Sequence, residues 1–163
     1  MAHQSPNNEV LVTNQVQGFQ IEAAAIAKLT QSVLSRLDYR NTSLSLVFVS
    51  ELLMKRLNQR YLKHPWTTDV LAFPFSTDQR RSCMPNGRTF LGEVVISPKR
   101  AERYARQFGI SFPTELFRYV CHGILHLKGY SDDSARLQNR MRKLENQLMA
   151  PLHLRIEKLS RGL

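Results

Sequence analysis

Apolar residues at Ile21, Ala24, Ala25, Leu29, Val33 and Leu37 recur at three- and four-residue spacing, which predicts a helix over residues 20–38. Glu22, Lys28 and Arg36 fall on its other face. The pattern changes at residues 43–50, which carry no charge and become apolar on both faces toward the end. That is the signature of a strand near the centre of a sheet. Shorter runs at 9–13, at 69–73 before Pro74, and at 91–97 predict further strands. Ser50 is placed to cap a helix over 51–62 with Leu52, Leu53 and Leu57 inward. Pro98 and Gly109 bracket a helix over 98–108. Ser111 or Pro113 opens another that runs through 114–128, with Gly129 just past its end. Asp132 or Asp133 is a candidate cap for a last helix over 134–149, ended by Ala150-Pro151. The polar stretch 76–89 reads as an exposed loop or hairpin connection.

Strands and helices are interleaved without strict alternation. The expected fold is therefore α+β: a single domain with a mixed four- or five-stranded sheet covered by helices. Residues 1–8 are expected to form a disordered tail and 9–163 the domain. A length of 163 residues suits one core, and 42% hydrophobic with 22% charged residues excludes wholesale disorder. No apolar run approaches the roughly 20 residues of a membrane span. The polar start Met1–Asn8 lacks the apolar core of a secretory signal. Cys83 and Cys121 are too few for a disulfide framework and are expected to be reduced thiols in a cytoplasmic protein.

Charge adds a partner class. Lys and Arg number 23 against 13 Asp and Glu, for a net charge of +10, and sixteen of the bases are Arg. Arg makes bidentate phosphate contacts and stacks on bases, so the balance points to a polyanion; the alternative is a cationic surface that serves solubility. Arg80, Arg81, Arg103 and Arg106 are the candidate contacts to such a polyanion within a basic run between residues 80 and 106. The bases of the last helix, Arg136, Arg140, Arg142 and Lys143, read more simply as a solvated face.

The segment Cys121-His-Gly-Ile-Leu-His-Leu-Lys-Gly-Tyr-Ser-Asp-Asp133 carries the chemistry. His122 and His126 lie one turn apart on one helical face, where one ion reaches both imidazoles. Gly129 breaks the helix and lets Asp132 return toward the pair. Three protein ligands with an open fourth position is the pattern of a catalytic zinc site. The alternative is a hydrogen-bonded core histidine beside a partly exposed one. The spacing also matches the metzincin peptidases, but Gly123 stands where their general-base Glu would be.

This segment resembles the His-Gly-x-Leu-His-Leu-x-Gly-Tyr-Asp-His signature of the YbeY family of bacterial rRNA maturation endoribonucleases. Leu57-Asn58-Gln-Arg-Tyr61, Thr68-Asp69-Val70-Leu71-Ala72-Phe73-Pro74 and Gly92-Glu93-Val94-Val95-Ile96 resemble other segments of that family in the same order. The resemblance implies one zinc ion on His122, His126 and Asp132. It also implies cleavage of single-stranded rRNA, the ribosomal small subunit or its assembly factors as partners, and a cytoplasmic setting. Three positions depart from the family pattern: Asp132 replaces a histidine, Leu62 replaces an arginine and Glu93 replaces an aspartate. Arg60 or Lys63 is the candidate for the catalytic charge missing at Leu62. Thr68 and Asp69 either satisfy loop backbone groups or act beside the metal. Trp66 and Phe73 read as packing residues, and His3, His64 and His153 have no spaced partner. Two other functions stay open: a metzincin-like metallopeptidase, and an RNA-binding ribosome-assembly factor without catalysis.

Overall fold

Strands β1 (Glu9–Asn14), β2 (Thr42–Phe48), β3 (Val70–Pro74) and β4 (Thr89–Ile96) form one sheet in the order β1-β2-β4-β3. β1, β2 and β4 run parallel, and β3 lies antiparallel on the edge beside β4. The sheet is therefore mixed and four-stranded, as the interleaved pattern predicts. The computed structural model describes residues 7–65, 67–75 and 87–159. Trp66, Arg80, Arg81 and Cys83 lie outside these residues.

The helices are α1 (Ala23–Arg36), α2 (Glu51–Leu62), α3 (Pro98–Phe108), α4 (Phe112–Leu127), α5 (Ala135–Met149) and α6 (His153–Glu157), with a 3-10 turn at Ala150–Leu152. Period-two alternation in the central strands divides the packing into two faces. Leu44, Leu46, Phe48, Val94 and Ile96 join α1, α4 and the C-terminal helices in the main core. Val95 joins Val49, Met54 and Leu71 in a smaller cluster under α2. The uncharged, two-sided character of residues 43–50 follows from this covering. α4 runs through the main core and buries eleven of its sixteen residues, so the segment that carries the histidines is held by packing along most of its length.

Ser50, Ser97, Ser111 and Ser134 each accept a backbone N–H bond that caps α2, α3, α4 and α5 respectively. Each such cap contributes about 1 kcal/mol. The cap of α5 corrects the expectation of Asp132 or Asp133. Leu137 N–H donates to Ser134 Oγ at 3.3 Å, while Asp133 takes a bond from the Ser131 hydroxyl. Asp132 is thereby free to face the histidines. Asn8, expected in the tail, is buried: its side chain donates to Tyr39 O and accepts from Thr42 N–H and Oγ1. No helix among the described residues is long and apolar enough to cross a membrane.

Candidate metal centre

His122 and His126 occupy successive turns of α4 with their Nε2 atoms 2.9 Å apart. Asp132 Oδ2 stands 3.5 Å from His122 Nε2, and its Oδ1 stands 3.7 Å from His126 Nε2. The ligand atoms of the three residues all fall within 4.8 Å of one another, and among the described residues this is the group arranged to hold a metal ion.

The turn that delivers Asp132 begins at Gly129, whose φ of +102° suits glycine. Gly129 N–H bonds to His126 O and Tyr130 N–H to Leu125 O, which satisfies the last carbonyls of α4. The same turn places Tyr130 O 3.0 Å from His126 Nδ1. On the other ring, His122 Nδ1 lies 2.8 Å from Glu145 Oε1. A carbonyl and a carboxylate can only accept, so both Nδ1 atoms carry the proton. Where both rings are neutral, their Nε2 lone pairs are turned toward the same space. Two lone pairs at 2.9 Å repel unless a cation lies between or beside them. Burial, and then the neighbouring His122, push the His126 pKa down and favour its neutral ring. Tetrahedral zinc with Zn–N near 2.0–2.1 Å sets its nitrogens about 3.3 Å apart, within a small adjustment of this pair. The donor set fits a divalent cation bound by two imidazoles and a carboxylate.

Gly123, next to His122 in the chain, packs on the sheet. A Cβ there would overlap Val94 Cγ1 and press on Val70 Cγ1 at 3.1 Å. The position of a peptidase Glu is sealed against β3 and β4, with no space for any side chain.

Beside the histidines opens a cavity of about 340 Å3 between the start of β3, α3, α4 and α5. Thr68 and Asp69 border it, and Asp69 accepts from Arg100 Nε at 2.7 Å. Glu115, Arg118 and Tyr119 from α4 and Gln138, Arg142 and Glu145 from α5 complete most of the wall. Arg118 Nη1 donates to Glu145 at 3.3 Å and to Asn146 at 2.8 Å. Burial pushes the Glu115 carboxyl pKa up, opposed by Arg118.

Glu145 is the residue of the candidate site that the sequence reading missed. It is 4% exposed and lies on the inward stripe of α5 with Met141 and Leu148. A carboxylate within an apolar stripe was the available signal, since a buried charge needs a partner. The other candidates fall elsewhere. Arg60 is exposed, with its guanidinium 5.6 Å from the Tyr61 ring, and Lys63 ends α2 in the left-handed conformation at φ 58°. Neither borders the cavity. Arg103 pairs with Glu51 at 2.9 Å and Arg106 with Glu102 at 3.2 Å, both on the outer side of α3. Arg80 and Arg81 lie outside the described residues. Glu93 accepts from Ser45 Oγ at 3.0 Å.

The family model described as Endoribonuclease YbeY matches residues 11–153. An "Endoribonuclease YbeY" of Thermodesulfovibrio yellowstonii is 39% identical over 126 residues, covering 73% of this chain and 74% of its own. One from Aquifex aeolicus is 34% identical over 146 residues, covering 89% and 92%. A solution structure from Thermotoga maritima shares the fold with a TM-score of 0.56 at 24% identity, covering 88% of this chain and 91% of that one.

Proposed function

The chain belongs to the YbeY endoribonuclease family, and from that premise we propose that it is a zinc-dependent endoribonuclease that cuts single-stranded rRNA during small-subunit maturation. One zinc ion sits on His122, His126 and Asp132. The observation that carries this reading is the convergence of two Nε2 atoms 2.9 Å apart with a carboxylate beside them, a donor set suited to a cation. When bound, zinc supplies Lewis acidity toward a phosphoryl oxygen or a water at its open position.

The chain's own residues supply the rest. Glu145 holds His122 in the Nδ1–H tautomer and Tyr130 O does the same for His126. Arg142, half exposed at the cavity, and Arg100 beyond Asp69 offer positive charge for a phosphate backbone. The net charge of +10 draws in RNA over a longer range. The ribosomal small subunit or its assembly factors are the partners, and the cytoplasm the setting.

A metallopeptidase reading has the metzincin spacing in its favour, but the sealed position of Gly123 removes its base. Leu62, exposed on α2, favours a non-catalytic RNA binder only if the family arginine was indispensable. The test is metal content of the purified protein with cleavage of single-stranded RNA and of casein, each with and without chelator. The expected result is about one zinc per chain and chelator-sensitive RNA cleavage alone. Metal-loaded protein that binds RNA without cutting it would establish the binder instead.

A further inference from the structure

The cavity beside the histidines has features that hydrolysis of a phosphodiester does not require. Glu115 is 2% exposed, and its Oε2 is ion-paired with Arg118 Nε at 3.6 Å without either atom making a hydrogen bond. Tyr119 is 6% exposed and its hydroxyl makes no hydrogen bond. These residues stand at i, i+3 and i+4 on one turn of α4, and all border the same cavity. Buried polar atoms in folded proteins are hydrogen-bonded with few exceptions, so three that make no hydrogen bond, two of them ion-paired with each other, on residues that line one cavity mark groups with bonding capacity left for a ligand. The cluster combines an acceptor, a donor and a hydroxyl that can be either.

An independent feature lies on α3. Tyr104 borders the cavity and packs on Phe108 with ring centroids 4.3 Å apart. Phe108 is 54% exposed, which leaves aromatic surface open to solvent next to Tyr104. Exposed aromatic rings beside a basic surface are the stacking platforms of single-strand binders.

We propose that this cavity takes one unstacked nucleobase of the RNA strand next to the scissile phosphate, with the following base stacked on Tyr104 and Phe108, and that its wall favours guanine. The proposal rests on the ribonuclease reading and adds base selection to it. A cavity of about 340 Å3 is in the size class of small-ligand pockets. Enzymes that extrude a base read its Watson–Crick edge by hydrogen bonds. Guanine presents two neighbouring N–H donors and one carbonyl on that edge. Glu115 accepts the donors, and Arg118 Nε or the Tyr119 hydroxyl donates to the carbonyl. Adenine and cytosine present an amino group beside a ring acceptor, and uracil one N–H between two carbonyls, so each leaves part of this wall unpaired.

The test uses short single-stranded RNAs with one abasic nucleotide moved stepwise past the cut, given to the zinc-loaded full chain. Removing the base at one position beside the cut should slow cleavage about tenfold or more, with little effect two positions further away. Among intact bases at that position guanine should be fastest. Tyr119→Phe and Glu115→Gln should each shrink the advantage of guanine over the abasic substrate while zinc content stays at one per chain. Phe108→Ala should weaken strand binding about tenfold without moving the preferred position. Equal rates for all abasic positions would overturn the base pocket and leave the ribonuclease reading standing, as would variants that slow intact and abasic substrates alike. If no RNA is cut, the ribonuclease reading fails. The pocket is then judged by equilibrium binding of the same RNAs, where equal affinity of intact and abasic strands overturns it.

Discussion

His122 Nδ1 donates to Glu145 Oε1 at 2.8 Å, which ties a metal-facing imidazole of α4 to a carboxylate of α5 twenty-three residues later. Glu145 is also held by Arg118 and faces Arg142, so its position is fixed from three sides. Partners of this kind orient a ligand ring and raise its basicity. Glu145→Gln keeps the shape and removes the charge, and is expected to weaken zinc binding about 10- to 100-fold. Competition with a chromophoric chelator measures this. Unchanged affinity would mean that the carboxylate is only a packing group.

Gly123→Ala sets two effects of opposite sign against each other. In a helix interior the change gains about 1 kcal/mol from propensity. Here the new methyl overlaps Val94 Cγ1, and overpacking a core costs about 1–3 kcal/mol. Packing is expected to win, with a lower urea midpoint. Val94→Ala combined with Gly123→Ala should recover more stability than either change alone suggests, because it removes the overlapping atom.

Asp132→Ala is expected to lose zinc on dialysis and Asp133→Ala to keep it, since Asp133 is hydrogen-bonded with Ser131 and falls outside the group that His122, His126 and Asp132 form. Plasma mass spectrometry of the dialysed proteins decides. Retention of full zinc by Asp132→Ala, with loss from His122→Ala and His126→Ala, would remove Asp132 from the ligand set.

Glu157 links the C-terminal helix to the start of the metal helix. Its Oε1 accepts from Thr114 Oγ1 at 2.6 Å and Ser111 Oγ at 2.7 Å. The Thr114 bond first, then that of Ser111, holds its carboxyl pKa below the ordinary 4.5. A folded-state pKa lower than the unfolded one contributes stability that is present above pH 4.5 and lost as the pH falls through the folded value. Glu157→Gln should therefore be less stable than the parent at pH 7, and the difference should close below pH 4.5. Thermal unfolding of both proteins across pH 3–7 tests the sign; a gap that widens in acid would contradict it.

Local signals set the helices well where they were strong. α2 and α3 begin after Ser50 and Ser97, and α3 ends at Gly109 in the left-handed conformation, so their limits are written in a few adjacent residues. α1 starts at Ala23 rather than residue 20 because Ile21 joins the core from outside the helix, a tertiary fact that spacing does not carry. The cap of α5 shows a different limit. Asp132, Asp133 and Ser134 are all competent caps, and the choice among them is tied to where Asp132 faces the histidines. Strand direction was equally hidden, since nothing within Val70–Pro74 says that it pairs antiparallel with β4. The candidate metal ligands were legible because two of them share one helix and the third follows a single turn. Glu145 was not, because its meaning depends on how α5 lies against α4.

Cys121 adjoins His122 in the chain yet points into the core with no exposed surface, and burial raises its thiol pKa strongly. A thiol in that state does not react with alkylating reagents. It becomes reactive when α4 unwinds from the core, a motion that separates His122 from His126 and both from Asp132. With Cys83 replaced by serine, the rate of alkylation becomes a clock for that opening, and the slowing of the clock by added zinc reads out, in time rather than in affinity, how firmly the ion fastens its helix to the protein.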